Sequence, residues 1–178
     1  MGFPAHEEAL RGGSQADRAE NTTNDESCTM ILTHEVAQRM ISTSQEKARE
    51  LGMAISTAIV DTEGRLFAFG RMDGTHWLSI DAAQAKAFTG AILRQDGPAL
   101  QQVPSAMISA LSLMQARAVL PMGSITVLRD ENDRVIAGIG CSGIGSTGAT
   151  DVQDGECARA ARDAGEPVRL TGDKAGST

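Results

Sequence analysis

The chain has 178 residues and a formal net charge of −7, with 16 Lys and Arg against 23 Asp and Glu. With a pI of about 4.9, no basic run, no tyrosine and one tryptophan, it has neither the positive charge nor the stacking surface that nucleic acid requires. Anionic membranes repel such a chain, no stretch reaches the ~18 apolar residues that span a bilayer, and Met1–Gly13 lacks the regions of a signal peptide.

Three cysteines, Cys28, Cys141 and Cys157, occur without CxxC spacing, so neither a disulfide framework nor a metal knuckle is expected. The expected setting is the cytoplasm. Residues 1–28 are polar and aperiodic and read as a disordered arm. A single domain is expected over 29–165, with a disordered tail over 166–178. Thr33 caps a first helix to about Leu51, with Val36, Ala37, Met40, Ile41, Ala48 and Leu51 near helical spacing and Gly52 ending it. An apolar run over 54–60, the turn Asp61-Thr-Glu-Gly64 and the run Arg65–Phe69 make a hairpin.

Arg71-Met-Asp-Gly74 and His76-Trp77 follow directly, ahead of an alanine-rich helix. Ser79 is its expected N-cap and Asp81 suits its first turn. Pro98–Gln102 reads as a short helical turn. A helix from Ser105 carries Met107, Ile108, Leu111, Met114 and Ala118 on an apolar face, and Pro121 and Gly123 end it. Strands over 124–128 and 134–141 flank the turn residues Asp130–Asp133 in a second hairpin. A glycine-rich loop over 142–148 leads to a last helix, which Thr150 and Gln153 open as a capping box. Two hairpins among helices imply an α/β fold of the α+β type, an antiparallel sheet flanked by helices.

The loop matches GxGxxG twice, at Gly138-Ile-Gly-Cys-Ser-Gly143 and Gly143-Ile-Gly-Ser-Thr-Gly148. A dinucleotide fingerprint also needs a parallel βαβ unit and a later acidic residue, which this order of elements lacks. Two simpler readings stand: Ser142, Gly143 and Gly145 seat an anion, or the glycines only permit a tight connection. Arg71 can clamp a carboxylate, Asp73 accept a proton and His76 donate one; alternatively Arg71 pairs with Asp73, Asp73 caps a turn, and His76 is ordinary surface. Lys86, on a small apolar helix, either snorkels, pairs with Asp81 or Glu63, or reaches the loop as a cation. Glu156 is a solvated residue or a site acid. His34, in the first turn of helix one, is surface or a haem ligand. No metal cluster is evident.

Several of these segments together resemble the GlcG/HbpS-like family, which spans glycolate-utilisation accessory proteins, extracellular haem-binding sensors and the C-terminal domain of some corrinoid adenosyltransferases. The likeness rests on Ala58-Ile-Val-Asp-Thr-Glu-Gly64, Arg71-Met-Asp-Gly74, Ala85-Lys-Ala with Thr89, Ile139-Gly-Cys-Ser-Gly143 and Gln153-Asp154, over about residues 30–164. It implies a profilin-like fold, homo-oligomers with ligand sites near subunit contacts, and haem or another tetrapyrrole as ligand. Met122-Gly-Ser-Ile125 departs from the family's Gly-Gly-x-Pro pattern, and Thr75-His-Trp77 brings bulk where a small residue is usual.

Two functions are therefore expected. The first is an oligomeric binding protein for haem or a related tetrapyrrole, with His34 or His76 as axial ligand and the glycine loop near the propionates. The second is a cofactor-free lyase or isomerase acting by proton transfer on a small oxygenated or aromatic acid. There Arg71 or the loop would hold the carboxylate, and Asp73, His76 or Lys86 would move the proton.

Overall fold

The computed structural model describes residues 32–145 and 149–165. The expected arm over 1–28 and tail over 166–178 lie outside them. The elements run α1 (His34–Glu50), β1 (Ser56–Val60), β2 (Leu66–Arg71), α2 (Leu78–Leu93), α3 (Gly97–Leu100), α4 (Ser105–Gln115), β3 (Thr126–Arg129), β4 (Val135–Ser142) and α5 (Asp151–Gly165). The four strands form one antiparallel sheet in the order β2-β1-β4-β3, so the two hairpins meet along β1 and β4. This is the expected α+β architecture.

Thr33 caps α1, its hydroxyl accepting from Val36 N at 3.2 Å. In the first turn, Gly64 N donates to Asp61 O, and Asp61 Oδ1 accepts from Glu63 N and Arg65 N. Asp130 repeats this in the second hairpin, accepting from Asn132 N and Arg134 N. Thr150 and Gln153 exchange the bonds of the expected capping box at the head of α5. The second hairpin's strands begin and end one or two residues later than the sequence reading put them.

Side chains alternate across the sheet. On one face Ile55, Ile59, Ile139, Cys141 and Leu128 pack with Met40 and Ile41 of α1 and Cys157, Ala158 and Ala161 of α5. On the other, Ala58 and Val60 meet Ala83, Ala87 and Ala91 of α2. Where β4 runs against these alanines it presents glycine: a Cβ on Gly138 would sit 2.1 Å from Ala87 O, and one on Gly140 2.1 Å from Ala83 O. The first GxGxxG match is therefore a packing device that lets an alanine helix lie on a strand.

Two expectations are corrected. Ser79 is not the N-cap of α2: Trp77 holds that position, and Ser79 lies buried inside the helix. Its hydroxyl donates to His76 O at 2.6 Å and bonds Ser56 Oγ at 2.8 Å, so burial against β1 decides its role. The apolar face expected on α4 covers no core; none of its residues is buried, and Ala118 falls beyond its end.

Candidate functional site

The register across the sheet builds the site. Ser56 pairs with Arg71 on one side and with Ser142 on the other, so the loop after β2 and the loop after β4 leave the same end. Both hairpin turns lie at the opposite end. At the first loop, Thr75 is buried and donates its hydroxyl to Met72 O at 2.7 Å, while Arg71 Nη2 donates to Thr75 O. His76 O accepts from the Ser79 amide and hydroxyl. His76 Nδ1 accepts from Leu78 N at 3.2 Å, and the ring lies 5.3 Å from that of Trp77, which is 62% exposed.

The second loop comes up against this histidine. Gly145 has φ +85°, and a Cβ there would fall 2.3 Å from His76 Cβ. Only glycine allows both that backbone conformation and that approach. His76 is thus exposed yet held through its carbonyl, its Nδ1 and its Cβ. With Nδ1 accepting, the neutral ring carries its proton on Nε2. That proton must move before Nε2 can act as a donor to a metal.

Of the alternatives open for Lys86, pairing with Asp81 or Glu63 does not form. It is 3% exposed, and its Nζ donates to Asp154 Oδ2 at 2.7 Å and Cys141 O at 3.0 Å, with Asp151 Oδ1 at 3.6 Å. It passes the end of β4 and joins α2 to α5, one on each face of the sheet. Asp154 Oδ1 in turn accepts from Gly143 N at 2.8 Å. The seat expected for an external anion at Gly143 is filled by the protein's own carboxylate. Burial raises the Asp154 carboxyl above its ordinary value, outweighing the opposing pull of the Lys86 ammonium and the Gly143 N–H.

Of the predicted residues, the fold gathers Arg71, His76 and Gly145 around one corner and places Ser142, Gly143 and Lys86 behind it. Asp73 is exposed on the turn and has no hydrogen-bond or ionic partner among the described residues; the alternative pairing with Arg71 does not form, because the guanidinium bonds Thr75 O instead. His34 is exposed at the head of α1, away from this end's two loops. Glu156 is half-buried on α5, roughly 200° around the helix from Asp154. Cys141 and Cys157 are buried thiols, pushed up to about 12 by desolvation, so they are protonated packing groups at neutral pH. Among the described residues no group of three or more His, Cys, Asp or Glu is placed to hold a metal. A cavity of about 520 Å³ lies by the hairpin turns, lined by Arg94, Arg129 and Arg134, but Arg129 and Arg134 bond Asp133 and Asp130 there.

Sequence reasoning missed Asp154, Asp151 and the Ser56–Ser79 pair as supports of the site. A lysine on a helix of mostly small, apolar residues was the available signal, since burial obliges it to find a carboxylate.

Residues 32–163 match the family model described as haem degrading protein HbpS-like. The chain belongs to the HbpS-like family. It is 30% identical, over 115 residues, to an uncharacterized 15.0 kDa protein of the dhaT–dhaS intergenic region of Citrobacter freundii, covering 63% of this chain and 80% of that one. It is 33% identical to protein GlcG of Escherichia coli K12 over 67 residues, which are 38% of this chain and half of GlcG. Among solved structures, the PduOC–haem complex superposes with a TM-score of 0.65 at 23% identity, over 75% of this chain and 94% of that one. A double mutant of Streptomyces reticuli HbpS gives 0.62 at 23% identity, over 88% and 97%. At these identities the structural likeness establishes the HbpS-like fold. No helix among the described residues is long and apolar enough to cross a membrane.

Proposed function

We propose that this HbpS-like chain is an oligomeric binding protein for haem or a related tetrapyrrole, with His76 as the axial ligand. The observation that carries the reading is an exposed imidazole held between the two loops through its backbone carbonyl and its Cβ, beside an exposed indole. A flat, apolar ring with anionic side groups fits such a corner: Trp77 offers apolar surface, and Arg71 uses one N–H on Thr75 O and keeps others for a propionate. The family description and the haem in PduOC support the same ligand class. His76 is preferred to His34 because the second loop reaches it.

Proton-transfer catalysis gains nothing from the geometry. Lys86 is buried between carboxylates, and Asp73 faces solvent without a partner among the described residues.

Absorption titration with haemin tests the proposal. The wild-type chain and His34→Ala are expected to give a saturable Soret shift at one haem per chain, and His76→Ala to lose it. A shift that persists in His76→Ala would assign the iron elsewhere, and no shift in the wild type would end the tetrapyrrole reading.

A further inference from the structure

The cavity of about 520 Å³ beside the hairpin turns stands apart from the ligand corner. α2 starts at that corner and has 16 residues, so its far end is roughly 24 Å away at ~1.5 Å per residue. Three elements bring a guanidinium to the cavity lining there: Arg94 from the end of α2, Arg129 from β3 and Arg134 from the second hairpin turn. Val135 and Ile136, both half-buried, give it an apolar wall.

What these groups already bond decides what they have left. The Asp130 carboxylate is buried and spent: Oδ1 accepts from the Asn132 and Arg134 amides, and Oδ2 from Arg134 Nε and Nη2. That exchange uses two of the five guanidinium N–H groups of Arg134 and orients the other three. Arg129 donates Nη1 to Asp133 O at 3.0 Å and Nη2 to Arg94 O at 3.1 Å. Both acceptors are uncharged carbonyls, and the Asp133 carboxylate is 3.6 Å away and 87% exposed, so the Arg129 charge is little offset. Arg94 is held by its carbonyl, while its own guanidinium has no hydrogen-bond or ionic partner among the described residues.

Arg94 also stands against backbone preference. It ends α2 at φ 55° and ψ 36°, the left-handed conformation that glycine or asparagine usually supplies at a helix end. Glycine would form that end more easily, so arginine adds a charge at a conformational cost.

The lining sets three guanidiniums against two carboxylates, a local positive excess in a chain of net charge −7. Asp61, Glu63 and Glu131, the other acids of the two turns, do not line it. An anion is repelled over most of such a protein and drawn to this cavity. One guanidinium fork satisfies the two oxygens of a carboxylate. A phosphate monoester has three terminal oxygens and a charge of about −1.5 to −2 at pH 7, which suits forks arriving from several sides. The volume leaves room for an organic body against Val135 and Ile136, and falls within the range of about 300–1,000 Å³ usual for small-molecule sites.

We propose that this cavity is a second ligand site, which takes the phosphate monoester of a small organic molecule and uses Arg94 as its principal cation. The proposal does not rest on the tetrapyrrole reading of the His76 corner.

Isothermal titration calorimetry of the full-length chain with phenyl phosphate at low ionic strength tests it, with inorganic phosphate and benzoate as comparisons. The wild type is expected to bind one phenyl phosphate per chain, more tightly than either comparison. Arg94→Gly removes the guanidinium and suits the left-handed backbone, so it should fold at least as stably while phenyl phosphate affinity falls about tenfold or more. Asp133→Asn keeps a residue that tolerates φ 61° and removes a negative charge from the lining, so affinity should rise about threefold. Haemin titration is expected to be unchanged in both variants. No saturable binding by the wild type, or wild-type affinity in Arg94→Gly, overturns the site. Benzoate bound as tightly as phenyl phosphate overturns the ligand class, and inorganic phosphate bound as tightly overturns the organic body. Haemin affinity that falls in step with phenyl phosphate affinity in Arg94→Gly overturns the separation of the two sites.

Discussion

Lys86 shows how one side chain can organise a site without facing the ligand. Its ammonium is enclosed by Asp154, Asp151 and Cys141 O, and through Asp154 it fixes the Gly143 amide at the start of the second loop. Removing one partner of a buried ion pair leaves the other charge stranded, at a cost of about 3–5 kcal/mol, while removing both costs far less. Lys86→Met is therefore expected to lower the unfolding free energy by about 3–5 kcal/mol, and Lys86→Met/Asp154→Leu to recover much of that loss. Urea unfolding of the wild type, both single variants and the double variant measures the coupling. Strict additivity would mean that the pair does not hold the loop. His76 differs in kind: it is exposed, and the hydrogen bond its ring accepts from Leu78 N is at the surface. Substituting it is an operation on ligand binding, which is why the haemin titration isolates it.

At the scale of elements, the close approach of α2 to β4 sets the geometry of the sheet end. Ala83, Ala87 and Ala91 face Gly138 and Gly140, and the added Cβ of an alanine would meet backbone oxygen, which cannot yield as a flexible side chain does. Gly140→Ala should push α2 off the strand and cost roughly 1–3 kcal/mol or more of stability, as overpacked cores do. Because α2 starts at the His76 corner and carries Lys86, the same change should loosen both loops. The measurement is paired: urea midpoint for stability, and protection of the Gly143 and Leu78 amides in hydrogen exchange. Gly140→Ala with wild-type stability would show that the helix can retreat without strain. The two hairpin turns, by contrast, are local. Asp61 and Asp130 each gather the amides of their own turn, and Arg134 holds the Asp130 carboxyl below its usual range.

For the whole molecule, the net charge of −7 opposes any assembly of like chains, and the charge-free surface on α4 favours it. The balance depends on screening, which shortens the range of repulsion from about 30 Å at 0.01 M salt to about 3 Å at 1 M. The proposed oligomer should tighten as salt rises, since repulsion is screened while apolar contact is not weakened. Sedimentation at low and high NaCl checks the sign. Association that weakened with salt would point to ion pairs across the contact and away from an apolar helix.

Much of the fold was legible because its signals are local. A Thr33 cap, two Asp-led turns and a Thr150–Gln153 box each act within a few residues and appear where the sequence placed them, and the strands lie within two residues of their expected bounds. The five segments in order likewise pointed to the family. What local chemistry could not decide was pairing across long separations. Lys86 and Asp154 are 68 residues apart, Ser56 and Ser79 are 23, and Gly145 meets His76 only because the register of β1 brings two loops to one sheet end. Ser79 looked like a cap because serine usually caps, and burial against Ser56 gave it another role. α4 looked like a core helix because its face is apolar, yet apolarity states only that a surface should be covered. The sequence alone thus determined the elements, the class of fold and the family. The tertiary structure decided which polar groups are used up inside the protein, which remain for a ligand, and which apolar face is left uncovered, because burial is a property of the packed chain and of no single segment.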